Sequence, residues 1–158
     1  MDIKARKALL QKIPYGIFVV GVSHNDETSG FTATWISQVS FDPPLIMIGV
    51  RKDSHAASLI KNGQVFSINY LSRKQKKIAE IFFNPPPVDG NLLGGIVFHN
   101  GRTGAPLIDE AIGNLECVVR EITSPGDHLV VIGEIVDARA GKELELLTLG
   151  DAQWQYGG

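Results

Sequence analysis

Residues 30–55, GFTATWISQVSFDPPLIMIGVRKDSH, constrain this chain more than any other stretch. They open with strand-like alternation: Phe31, Ala33 and Trp35 fall on one side, Thr32, Thr34 and Ile36 on the other. Ser37, Gln38, Val39 and Ser40 form a small polar run that reads as a turn. Pro43 and Pro44 then stop regular pairing, because proline has no N–H to give to a ladder. The apolar run at 45–50 predicts a buried strand. That strand delivers Arg51 and Lys52 to a helix over 54–62, with Asp53 or Ser54 as its N-cap and Gly63 at the left-handed position that ends it. Two cations, several hydroxyls and a helix N-terminus thus converge. The free N–H groups and the helix dipole favour a phosphate there.

The rest of the chain is mostly strand punctuated by turns. Residues 2–13 suit a short amphipathic helix with Ala5, Leu9 and Ile13 on one face, and 15–23 form a nearly continuous apolar strand. Residues 64–71 alternate Phe66, Ile68 and Tyr70 against Ser67 and Asn69, a half-buried strand. Ser72 and Gln75 make a capping box for a helix to about Phe83, with Ile78, Ile81 and Phe82 as its apolar stripe. A loop at 84–95 carries three consecutive prolines, and loops of this kind often cover ligands. Strands follow at about 96–99, 106–109, 113–123 and 128–139, with Gly126 and Asp127 turning between the last two. The ending, DAQWQYGG, places two aromatics in a polar segment, to fold back on the body or pack on a second subunit. Short strands between turn signals, with few helices, predict an antiparallel barrel.

At 158 residues the chain suits one domain with a single core over 1–158. A net charge of −2 without clustered Lys and Arg argues against nucleic acid as partner, and RKQKK at 73–77 reads as a solvated helix face. No apolar run is long enough to span a bilayer and no apolar signal core opens the chain, so no membrane partner is expected. Cys117 is the single cysteine, which excludes an intrachain disulfide and suits a reducing cytoplasm. It alternates with Leu115 and Val119 and reads as a core thiol. His24, His55, His99 and His128 lack metal-ligand spacing. There is no G-x-S-x-G, no G-x-x-x-x-G-K-[ST] and no G-x-G-x-x-G, so a nicotinamide nucleotide would not bind in the Rossmann way.

The block at 30–55 resembles the flavin reductase-like family, the FMN-binding split β-barrels, which bind flavin with such a strand–PP–strand–helix segment. A second match is Gly126-Asp127-His128 before the strand LVVIGEIVDA. The likeness runs from about 14 to 138. It implies a mainly β, antiparallel Greek-key split barrel with a few short peripheral helices. It also implies an NAD(P)H-dependent oxidoreductase that passes hydride to FMN, or to FAD. The electrons then go to free flavin, a partner oxygenase or ferric iron. Homodimers are common in the family. Two alternatives stay open: an FMN electron-transfer protein without NAD(P)H activity of its own, and a non-enzymatic flavin- or haem-binding module.

A flavin needs cations, hydroxyls and N–H donors for its phosphate, a flat apolar wall for its ring, and open space on one ring face for hydride transfer. Thr32, Ala33, Thr34 and Trp35 suit the wall and edge, although Trp35 reads equally as barrel core. Arg51, Lys52, Ser54 and His55 suit the phosphate; their other reading is an ion pair with Asp53 and a routine helix cap. The resemblance assigns flavin contact to Thr32, Ala33, Thr34, Trp35, Ser40, Arg51, Lys52 and Ser54, with His55 beside them. His128 is the catalytic candidate, because an imidazole at the barrel mouth would donate a hydrogen bond or proton near the ring. Otherwise it is a turn residue bonded to Asp127.

Overall fold

The computed structural model describes residues 1–142 and 145–157; Gly158, the last residue of the aromatic segment, lies outside them. In chain order the elements are α1 (Ile3–Leu10), β1 (Phe18–His24), β2 (Glu27–Ala33), β3 (Ile36–Ser40), β4 (Leu45–Arg51), α2 (His55–Gly63) and β5 (Val65–Tyr70). A 3-10 turn (Arg73–Gln75) leads into α3 (Lys76–Ile81). Then come β6 (Val88–Asp89), β7 (Leu92–Leu93), β8 (Ile96–Asn100), β9 (Pro106–Ile108), β10 (Gly113–Thr123), β11 (His128–Ala140) and α4 (Leu149–Ala152). All pairings are antiparallel, in a seven-stranded sheet ordered β2-β1-β5-β10-β11-β4-β3 and a smaller one ordered β6-β7-β8-β9.

That order explains why the large sheet is curled. β2 and β3 lie at its opposite edges, yet only Thr34 and Trp35 separate them in the chain. Three residue steps span at most about 11 Å. The two edges are therefore held close, and the sheet becomes a barrel that is split along this line. The alternation at 31–36 predicts one strand; the structure has two. The break falls where the chain leaves one edge for the other, a step that alternation does not record.

The barrel interior holds Val20, Val22, Ile48, Val50, Phe66, Ile68, Cys117 and Val131, closed by Ala56, Ala57, Leu59 and Ile60 of α2. A second cluster covers the outside of β1: Ile17, Val19, Leu71, Ile78, Ala79, Phe82, Ile108 and Leu147. β1 is buried on both faces, which accounts for its unbroken apolar run. Burial also raises the Cys117 thiol to about 12, so it is a core group without nucleophilic character.

Several local expectations change. Residues 37–40 belong to strand β3, and the turn before β4 lies at 41–44. β4 buries Ile46, Ile48 and Val50 but leaves Leu45 and Met47 half-exposed, so it is buried on one face. Ser54 is the cap of α2, accepting from Ala57 N–H at 3.2 Å. Gln64, at φ +57°, takes the left-handed position expected of Gly63. Gly63 is needed for a different reason: a Cβ there would run into the Ser23 carbonyl. The polar face of β5 is buried, because β9 covers it. Ser67 donates to Pro106 O, and Asn69 binds Val19 O, Ile108 N–H and Asn114. The expected apolar stripe of α3 keeps Ile78 and Phe82 inside, whereas Ile81 is exposed and Ala79 is buried in its place. Part of the proline loop is a short hairpin, β6–β7. Among the described residues, no helix is long and apolar enough to cross a membrane.

Candidate functional site

The split between the sheet edges opens into a cavity of about 1030 Å³, at the upper end of the range for ligand sites, roughly 300–1,000 Å³. One wall is the chain from Ser29 to Trp35. Across it stand Gly49, Arg51, Ser54 and His55 at the junction of β4 and α2; His128 opens β11; Phe82, Phe83, Asn84 and Pro85 follow α3; and Gln153–Tyr156 close one side. Of the residues proposed from sequence, Thr32, Ala33, Thr34, Trp35, Arg51, Ser54, His55 and His128 line this cavity. Ser40 and Lys52 do not. Ser40 sits at the far end of β3, paired with Leu45. Lys52 turns its Nζ to Ser124 O at 3.3 Å.

The wall is locked by the protein itself. Thr32 donates its hydroxyl to Ala79 O at 2.6 Å, and its N–H to Phe82 O at 3.0 Å. Trp35 O accepts from Gly49 N–H at 2.9 Å, and the indole lies over Gly49, where a Cβ would come within 3.1 Å of the ring. Two polar atoms on this wall are shielded from solvent and without a hydrogen-bond partner among the described residues: Thr34 Oγ1 and Trp35 Nε1. They sit on consecutive residues, at the crossing between β2 and β3. Unpaired buried polar groups are uncommon and costly, about 1–3 kcal/mol each. A ligand that supplies an acceptor to the indole and a partner to the hydroxyl fits this wall.

The end of the cavity at Arg51 and His55 carries cationic side chains that are internally engaged. Arg51 pairs with Asp53 at 3.2 Å, and that hydrogen bond holds the Asp53 carboxyl below the usual carboxylate range. Both side chains are well exposed, so the pair contributes little to stability and opens cheaply. Ser54 Oγ is engaged twice, as the α2 cap and as a donor to Arg51 O at 2.7 Å. His55 lies 3.9 Å from Glu27. The bland reading of these residues and their place beside the cavity therefore coexist.

His128 lines the cavity and is also bonded to Asp127 in the turn before β11. Its Nδ1 meets Asp127 Oδ1 at 2.8 Å, and this bond is the main cause that lowers the Asp127 carboxyl. A carboxylate only accepts, so Nδ1 carries the proton and Nε2 points elsewhere. Nε2 lies 3.5 Å from Tyr156 Oη, the outer limit of a hydrogen bond. The imidazole centroid is 4.6 Å from the Trp35 ring, and the Tyr156 ring is 5.3 Å from Trp35 on the same wall.

Sequence reasoning does not assign Phe82–Asn84 or Gln153–Gln155 to the site. Its signals were nearby: the proline run that follows Asn84, and the two aromatics of the closing segment. That segment folds back on the body, with Trp154 4.8 Å from Phe83 and under Lys76 Nζ at 5.0 Å.

Comparison with known proteins agrees with this fold. The family described as "Flavin reductase like domain" matches residues 10–157. The NADH-dependent FAD reductase of Streptomyces globisporus is 34% identical over 128 residues, 79% of this chain and 69% of that protein. The reductase subunit HsaB of a flavin-dependent monooxygenase of Mycobacterium tuberculosis is 27% identical over 135 residues, 85% of this chain and 71% of that protein. The solved structure of the S. globisporus C-1027 NADH:FAD oxidoreductase SgcE6 superposes with a TM-score of 0.82 at 31% identity, covering 92% of this chain and 86% of that one. This chain belongs to the flavin reductase-like family and has its antiparallel split β-barrel fold.

Proposed function

We propose that this chain is an NAD(P)H-dependent flavin reductase whose flavin lies in the cavity at the split, and that electrons leave to free flavin, a partner oxygenase or ferric iron. The observation that carries the reading is the pair of unpartnered buried atoms, Thr34 Oγ1 and Trp35 Nε1, on the wall of that cavity. The names of the relatives support a reductase, and that of HsaB supports a monooxygenase partner. When bound, the flavin supplies a ring that accepts hydride. The chain does the rest. The locked backbone at 32–35 gives a rigid, flat wall, with Thr34 meeting the polar edge. Arg51 and Ser54, with the α2 N-terminus, hold the phosphate end once Arg51 leaves Asp53. Asp127 fixes the orientation of His128 through Nδ1, which leaves Nε2 on the cavity side.

FMN, or FAD, would be held between this wall and the N-terminus of α2. Ser40 and Lys52 lie outside the lining of that cavity. We further propose a homodimer, because Phe41 and Val39 on the edge strand side and Leu9 on α1 expose large apolar groups. The test is anaerobic: the flavin-loaded protein should lose its yellow colour on addition of NADH or NADPH. Bleaching by dithionite alone would make it a carrier. A protein with no flavin affinity would end both readings.

A further inference from the structure

The cation at the α2 end of the cavity already holds an anion. Arg51 Nη2 lies 3.2 Å from both carboxylate oxygens of Asp53, and both residues line the cavity. Guanidinium N–H groups take carboxylate and phosphate oxygens alike. Asp53 therefore stands where an anionic ligand of Arg51 would stand. Its hydrogen bond to Arg51 holds its carboxyl below the usual carboxylate range, so it is charged at neutral pH.

The fold itself asks little of this carboxylate. The cap of α2 is Ser54, whose hydroxyl accepts from Ala57 N–H and donates to Arg51 O. The Arg51–Asp53 pair is open to solvent, with side-chain exposures of 66% and 75%, and pairs of that kind add little to stability. The other basic side chains of the lining show the same pattern: His55 lies 3.9 Å from Glu27, and His128 is bonded to Asp127. Each basic side chain of the lining thus has a carboxylate beside it. An incoming phosphate meets no excess of positive charge, and it must displace Asp53 to reach the guanidinium.

We propose that Asp53 is a specificity-determining residue: it competes with the flavin phosphate for Arg51, weighs most heavily on the terminal phosphate of FMN, and so shifts the preference of the site from FMN toward FAD. This rests on the flavin lying in the cavity with its phosphate toward α2. A terminal phosphate carries a charge of about −1.5 to −2 at pH 7, whereas each phosphate of a diphosphate linkage carries a single charge. Repulsion from a fixed carboxylate scales with the charge that faces it, and the second phosphate of FAD is further out and more screened. Riboflavin has no phosphate and does not meet this repulsion.

The experiment titrates FMN, FAD and riboflavin into the flavin-free parent and Asp53→Asn, read by the change in flavin fluorescence. Asparagine keeps the shape of the side chain and removes its charge. The variant should bind FMN roughly three- to thirtyfold more tightly and FAD roughly two- to fivefold, with riboflavin within about twofold of the parent. The gain for FMN should shrink at high salt, because its origin is electrostatic. Unchanged or weaker FMN binding in the variant overturns the proposal. So does a gain for FAD equal to that for FMN, or an equal gain for all three flavins. A parent that binds none of the three ends the flavin reading of the cavity and this inference with it; a parent that binds them, with the FMN-to-FAD ratio unchanged in the variant, ends this inference alone.

Discussion

Replacing Thr34 with valine tests the site through two opposite effects. The Thr34 hydroxyl is buried without a partner among the described residues, and the residue as a whole is 8% exposed. Valine keeps nearly the same shape and removes the stranded group. The flavin-free protein should therefore gain about 1–3 kcal/mol, the usual penalty of an unpaired buried polar group. In a chain of 158 residues each kcal/mol raises Tm by roughly 2–4 °C. The same change removes the partner that the ligand finds on this wall. The ligand-free state is relieved while the bound state loses its bond, so flavin affinity should drop by at least the energy gained, roughly five- to 150-fold. Thermal melts of flavin-free protein and fluorescence titration with FMN read the two arms. A ligand-free variant that melts lower than the parent would show that Thr34 Oγ1 is structurally engaged. An unchanged FMN affinity would remove Thr34 from the site.

Arg51→Ala should weaken FMN by about 1–3 kcal/mol and riboflavin much less, whereas Lys52→Ala, turned toward Ser124, should bind both like the parent; titration with the two ligands decides this. Cys117 should resist iodoacetamide at pH 8 in the native state and react once unfolded, because its pKa of about 12 keeps it protonated; mass spectrometry of alkylated protein reads this. Light scattering should give twice the chain mass of 17.2 kDa, and a monomer mass at micromolar concentration would refute the dimer. Asp151 is held below its usual range chiefly by the Thr148 hydrogen bond. Its hold on α4 is thus complete above the ordinary carboxylate pKa, about 3.9, and is lost as pH falls through the lowered value. Trp154 fluorescence should change in that acid window, and not in Asp151→Asn.

Much of the architecture is legible because its causes are local. The strands at 113–123 and 128–139, the capping box at Ser72 and Gln75, and the core place of Cys117 follow from alternation and turn chemistry that act over a few residues. The errors have a common origin in contacts between distant segments. β5 reads as half-buried because Ser67 and Asn69 look solvent-facing, yet β9, about 40 residues on, supplies their hydrogen bonds. Gly63 reads as a helix end, but the reason for it is the carbonyl of Ser23. Lys52 reads as a phosphate ligand because it adjoins Arg51, but it lies in the turn after β4 and its Nζ is drawn to Ser124 O across the barrel mouth.

The same argument explains why the site centres on Thr34 and Trp35. A strand that stays in one sheet satisfies its polar groups from its neighbours. At the crossing from one sheet edge to the other the backbone is paired, with Trp35 O held by Gly49 N–H, but the Thr34 hydroxyl and the Trp35 indole N–H have no partner among the described residues. Closing the barrel and exposing a recognition wall are therefore one structural event. Because the crossing is short, its position is also rigid: Thr32 is tied to α3 on one side, and Trp35 to β4 on the other.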